Sequence, residues 1–291
     1  MILEDSNVEK NWKIVRSRVC IRALLIFLGI ILMQMLAYMI CMAGMFVWSA
    51  FMEKDGGDVI SSLVGINVSG DFLIWVSLVS ALLSMIWCGI LYKKSSWRTS
   101  GFDYKAAFCL KNTLSAAGVG AGGCIALTMF LSFLSMVVPE AFSFYNTVME
   151  HLTDSSMAVT AIYVLLVGPV SEELIFRGAI LDRLYLAFPF LAANILQAAL
   201  FGLYHMNLIQ GLYAFCLGFV LGVIRSGMGS ILASIFTHIL FNATSYVLDI
   251  LFPEGQVIEL WQMFVMILAG GFFFVIGFVH LLRINKQKTE S

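Results

Sequence analysis

The chain has 291 residues, 60% of them hydrophobic and only 12% charged, with a formal net charge of −1. Soluble globular proteins carry about 25% charged residues, so the composition excludes an ordinary soluble domain and points to an all-α polytopic transmembrane bundle; the near-zero net charge says little about partners, and no nucleic acid is expected among them. Six cysteines without a CxxC spacing leave neither a disulfide framework nor a zinc ribbon to expect.

In chain order, a basic N-terminus with Lys10, Lys13, Arg16 and Arg18 precedes an apolar run that continues to about Phe51. That run far exceeds a secretory h-region and no clear small-residue cleavage site follows, so it reads as an uncleaved first transmembrane helix. Cys20, beside the basic run, reads as a buried, inert thiol rather than a lipidated one. Crossing the hydrocarbon core takes about 20 apolar residues. On that basis about eight spans are expected, near 21–50, 72–92, 113–138, 157–181, 188–206, 208–226, 229–251 and 259–282. The fifth and sixth are short and joined by almost nothing. Polar joints fall at 53–58, 93–96 and Pro139-Glu140, the stretch 139–156 reads as an outer lid or interfacial helix, and Asn67-Val68-Ser69 is a chance-level glycosylation sequon.

With the N-terminus in the cytoplasm, only Lys54 of the 17 lysines and arginines falls in an outer loop. The expectation is therefore an integral membrane protein with both termini cytoplasmic, and the short loops and basic N-terminus suit a bacterial plasma membrane. The chain divides into a cytoplasmic N-terminus (1–20), three accessory helices with their loops (21–156), a core of helices four to seven (157–251), and a last helix with a basic tail (252–291).

Four polar clusters lie at membrane depth, where ionisable side chains are costly and persist mainly where they pair, line a cavity or do chemistry. The first is Glu172, Glu173 and Arg177. Glu173 and Arg177 are i,i+4 neighbours, in the favourable order for a salt bridge. Glu172 is rotated by about 100° on a 3.6-residue helix and cannot share that partner equally. Different jobs follow: Glu173 braced by Arg177, and Glu172 placed for general acid–base work in a low-dielectric cavity. Gly168 and Pro169, just upstream, would loosen the backbone and open space.

Phe201 and His205, again i,i+4, lie on the fifth span; His238 and Asn242, also i,i+4, lie on the seventh. Asn207 and Gln210 sit at the joint after the fifth. At about 1.5 Å per residue, Glu172 comes out ~15 Å deep, His238 ~14 Å, Asn242 ~20 Å and His205 ~25 Å. A kink near Pro189 or a later helix start would bring His205 level with the rest. Each cluster has a simpler reading. A lone intramembrane His or Asn is commonly interhelical glue, Glu173–Arg177 alone serves structure, Phe201 alone is packing, and Asn207 and Gln210 cap helix ends. The coincidence of a carboxylate, two histidines and an amide on three helices favours chemistry.

At these residues the chain resembles the CAAX-protease and bacteriocin-processing family of intramembrane glutamic endopeptidases. The family's Glu-Glu-x-x-x-Arg, Phe-x-x-x-His and His-x-x-x-Asn motifs read here as Glu172 to Arg177, Phe201 to His205 and His238 to Asn242, in order and undamaged. The resemblance covers roughly residues 157–245. It implies that Glu172 activates a water for attack on a peptide carbonyl, that His205 holds that water or shuttles its proton, and that His238 and Asn242 stabilise the oxyanion. Glu173 and Arg177 would brace the helix, with Phe201 in support.

No cofactor is implied, and metal-free catalysis is favoured: there is no His-Glu-x-x-His helix, and Arg177 beside the carboxylates would oppose a dication. The expected partners are the bilayer and a peptide or membrane-protein substrate, lipidated or not. Two other classes compete. A proton-coupled transporter would use Glu172 and the histidines as a relay, but the other half of the chain supplies no matching half-site. A catalytically silent scaffold or immunity protein would not need intact motifs.

Overall fold

Long apolar runs leave the backbone few ways to satisfy its N–H and C=O groups at membrane depth, and the helix does so within one segment. The computed structural model describes the backbone of residues 2–52, 69–93, 107–153, 157–253 and 258–290, and the side chains of all these except 2–11, 50, 52, 148–153 and 287–290. Asn67 and Val68 of the sequon, the joints at 53–58 and 94–96, and the His151 side chain lie outside the described residues.

Among the described residues there is no strand. The helices are α1 (Ile2–Met52), α2 (Gly70–Lys93), α3 (Leu110–Val137), α4 (Pro139–Thr153), α5 (Met157–Leu184), α6 (Phe190–Tyr204), α7 (Leu208–Met228), α8 (Ile231–Leu251) and α9 (Leu260–Glu290). Among them, seven (α1, α2, α3, α5, α7, α8 and α9) are long and apolar enough to cross a membrane. The fifth expected span is α6, with only 15 residues. At 1.5 Å per residue it covers about 22 Å, short of the roughly 30 Å hydrocarbon core. Large apolar side chains such as Leu32, Trp48 and Phe272 are exposed along the long helices, a surface that suits lipid rather than water.

The chain forms two compact units. The first comprises Met1–Ser95 and Asn146–Pro189 and holds α1, α2 and α5. Here Tyr38 of α1 meets Phe72 of α2 edge to face, with ring centroids 5.5 Å apart. Arg16 of α1 donates from Nε to the Ala187 carbonyl at 3.4 Å and lies 5.9 Å from the Phe188 ring centroid, tying α1 to the turn after α5.

The second unit comprises Ser96–Tyr145 and Phe190–Ser291 and holds α3 and α6 to α9. Ala116 and Val119 of α3, Leu221 and Ile224 of α7, Ala233 of α8 and Leu281 of α9 share one buried cluster. α3 contains a π-helical turn, Gly118–Gly122. A Cβ added at Gly120 would stand 2.8 Å from the Thr237 carbonyl oxygen, so only glycine admits this approach of α3 to α8. Thr237 immediately precedes His238, so this contact helps fix the helix that carries it.

Candidate catalytic residues

Around the glutamate pair, α5 departs from a uniform α-helix on both sides of the segment that contains Pro169. Proline has no N–H to donate and its ring crowds the carbonyl four residues back. The preceding turn, Tyr163–Val167, is widened to a π-helix, and the Gly168 N–H donates to the Tyr163 carbonyl five residues back. The expected loosening is thus a wide turn and not a break. A short α-helical piece, Gly168–Glu173, carries both carboxylates. A second π-helical turn, Leu174–Ile180, follows and contains Arg177. Such turns recur at functional sites in α-helices.

Arg177 donates from Nη1 to Glu173 Oε1 at 2.8 Å, and both side chains are 0% exposed. The i,i+4 pairing read from the sequence is therefore made. Either ion buried alone would cost several kcal/mol; together they form a charge-assisted hydrogen bond. Glu172 is half-buried. It precedes Arg177 by five residues, the interval a π-helical turn brings into line, and it lies within electrostatic reach of both the Arg177 guanidinium and the Tyr163 phenol. Glu173 holds the hydrogen bond to Arg177 Nη1, and Glu172 retains a second link to the same cation.

In the second unit, His205 follows the last residue of α6 in a tight turn whose Met206 has φ 55°. Asn207 is the N-cap of α7, its Oδ1 accepting the Gln210 N–H at 3.2 Å. Asn207 thus fills the capping role that is its simpler reading. His205 Nδ1 lies 2.9 Å from the Phe201 carbonyl oxygen. A carbonyl only accepts, so Nδ1 carries a proton, and the tautomer this selects leaves Nε2 as the ring's acceptor.

Phe201, 1% exposed, stands between the two histidine motifs. Its ring meets His205 edge to face at 4.9 Å and 81°, and His238 at 6.1 Å and 82°. The Phe201 ring thus lies against both histidines and links the second and third motifs. His238 is 3% exposed, and Asn242, half-buried, lies one turn further along α8.

The structure thus brings Glu173 to Arg177 in the first unit, and Phe201 to His205 and His238 in the second. Sequence reasoning passed over Asn194 and Gln197, both 0% exposed in α6. The available signal was their placement: two amides in an apolar helix, with Gln197, Phe201 and His205 spaced i, i+4, i+8 on one face. Among the described residues, no three His, Cys, Asp or Glu side chains form a metal-ligand set. All six cysteines are unbridged, and Cys20, expected to be buried, is exposed.

The helices and their buried polar groups define a polytopic, all-α integral membrane protein. Residues 154–244 are similar to the family model described as type II CAAX prenyl endopeptidase Rce1-like. That segment contains all three motifs. A curated protein of Bacillus subtilis (strain 168), named "Putative membrane peptidase YdiL", is 31% identical over 108 residues, which is 37% of this chain and 44% of that protein. The chain thus spans less than half the length of that relative. No solved structure matches the chain.

Proposed function

We propose that the protein is an intramembrane glutamic endopeptidase that hydrolyses a peptide bond in a membrane-associated or lipidated substrate. The observation that carries this reading is the division of the glutamate pair. Glu173 is fully buried and hydrogen-bonded to Arg177, whereas Glu172 beside it is half-buried. A purely structural ion pair needs one carboxylate; the second, costly at this depth, is explained by chemistry. The family match over 154–244 supports the same reading.

In this mechanism the Glu172 carboxylate takes a proton from water while the water oxygen forms a bond to the scissile carbonyl carbon. His205, with its proton on Nδ1, accepts from the water through Nε2 and orients it. His238 and Asn242 donate to the oxyanion of the tetrahedral intermediate, a contribution commonly worth about 3–4 kcal/mol per donor. The proton held by Glu172 then passes to the departing amine nitrogen as the carbon–nitrogen bond breaks. Arg177 and Glu173 brace the backbone that presents Glu172. We place the protein in a bacterial plasma membrane with its basic N-terminus cytoplasmic, on the strength of its charge distribution.

The test is cleavage of a membrane-anchored reporter peptide in proteoliposomes by wild type and by Glu172→Gln. The expected loss is about 10²- to 10⁴-fold in kcat with an unchanged melting temperature. Equal activity in both would overturn the glutamate mechanism, and activity abolished by a chelator would replace it with a metal-dependent one.

A further inference from the structure

We propose that Gln197 and Asn194 are positioning residues that set the register of α6 on α7 and thereby the place of His205, an inference that rests on the peptidase reading for its catalytic consequence. A full transmembrane span is held at its depth by the match between its apolar length and the bilayer. α6, with 15 residues, lacks that constraint. The facing surfaces are also smooth: a Cβ added at Gly202 would stand 2.6 Å from the Gly211 carbonyl oxygen, so the backbones nearly touch. Small-residue interfaces of this kind pack closely but offer little against sliding by a turn.

Two amides supply what the packing lacks. Asn194 Nδ2 donates to the Phe219 carbonyl at 2.9 Å and Gln197 Nε2 donates to the Gly218 carbonyl at 2.9 Å. Gln197 Nε2 also donates to Asn194 Oδ1 at 2.8 Å, coupling the two. Consecutive carbonyls of α7 are thus gripped by residues three apart on α6, and a slide of either helix breaks both bonds. Asn194 is itself seated by Gly222, where a Cβ would collide with Asn194 Oδ1.

The arrangement is an expensive way to hold two helices together. Gln197 Oε1 is buried with no hydrogen-bond partner among the described residues, a cost that offsets much of what the donated bonds contribute. An apolar side chain of similar length would serve stability about as well. What it would not give is register, and register matters one and two turns further along the same face. There Phe201 contacts both histidines, and His205 Nδ1 bonds the Phe201 carbonyl.

The experiment uses the full chain in proteoliposomes, with Gln197→Met as the main variant and ¹⁵N-histidine labelling as a second readout. The expected result is a kcat lowered about 10- to 100-fold, as for a small displacement of a catalytic group. KM and melting temperature stay near wild type, and the His205 Nδ1–H exchanges faster with solvent. Gly222→Ala should displace Asn194 and lower stability; adding Asn194→Ala should restore stability without restoring kcat. A loss of kcat that tracks melting temperature and disappears on cooling would overturn the proposal, as would an unchanged kcat with an unchanged His205 signal. A wild type that cleaves no reporter, beside a shifted His205 signal in Gln197→Met, would sink the peptidase reading and leave the register clamp standing.

Discussion

α5 and the α6–α7 pair bury polar groups in opposite ways. In α5 the groups are full charges, and the hydrogen bond between them closes within one helix, from Arg177 to Glu173. In α6 the groups are neutral amides, and their bonds cross to the backbone of α7. An ion can be neutralised by a partner one turn away, so α5 carries its solution with it. Asn194 and Gln197, three residues apart, share one bond within α6 and turn their remaining donors to α7. The first device stabilises a local shape, and the second fixes a distance between elements.

Substitutions can break or sharpen that contrast. The largest stability effect is expected for Arg177→Met, which leaves the Glu173 carboxylate buried without its guanidinium. Removing one partner of a buried pair typically costs about 3–5 kcal/mol. Thermal unfolding should show this loss, and combining Arg177→Met with Glu173→Gln should recover much of it. If Arg177→Met melted like wild type, the local neutralisation assigned to α5 would be wrong.

A smaller effect is expected for Gly120→Ala, which forces α3 away from the Thr237 carbonyl. Overpacking of this kind costs about 1–3 kcal/mol. Because α8 is the helix displaced, reporter cleavage should fall by more than the melting temperature explains. A variant with normal activity would show that His238 does not depend on α3.

The smallest effect is expected for Asn207→Ala at the N-cap of α7. Losing such a cap costs about 1 kcal/mol, and unfolding should register that while kcat changes little. A large fall in kcat here would move the control of His205 from the amide bonds to the turn between α6 and α7.

Particular residues show what is legible in the sequence. The apolar runs announced the helices, because a backbone in lipid must satisfy itself locally. The Glu173–Arg177 pair was legible because i,i+4 spacing is a property of one helix, and the capping role of Asn207 for the same reason. The π-helical turns were not, although Pro169 hinted at the first. An α-helix is the default reading of any apolar run, and a widened turn is selected by its neighbours. The contact of Phe201 with His238 was not legible either, because it joins two helices and no spacing within one helix encodes it.

The sequence by itself determined an all-α membrane protein, the family motifs and the unequal pairing of Glu172 and Glu173, all consequences of hydropathy and of distances within a single helix. Only the tertiary structure decided which ring links His205 to His238, which carbonyls Asn194 and Gln197 hold, and why Gly120 and Gly222 have no side chain. Those facts depend on separations between elements far apart in the chain, and such separations are set by close packing, to which no local pattern of residues gives access.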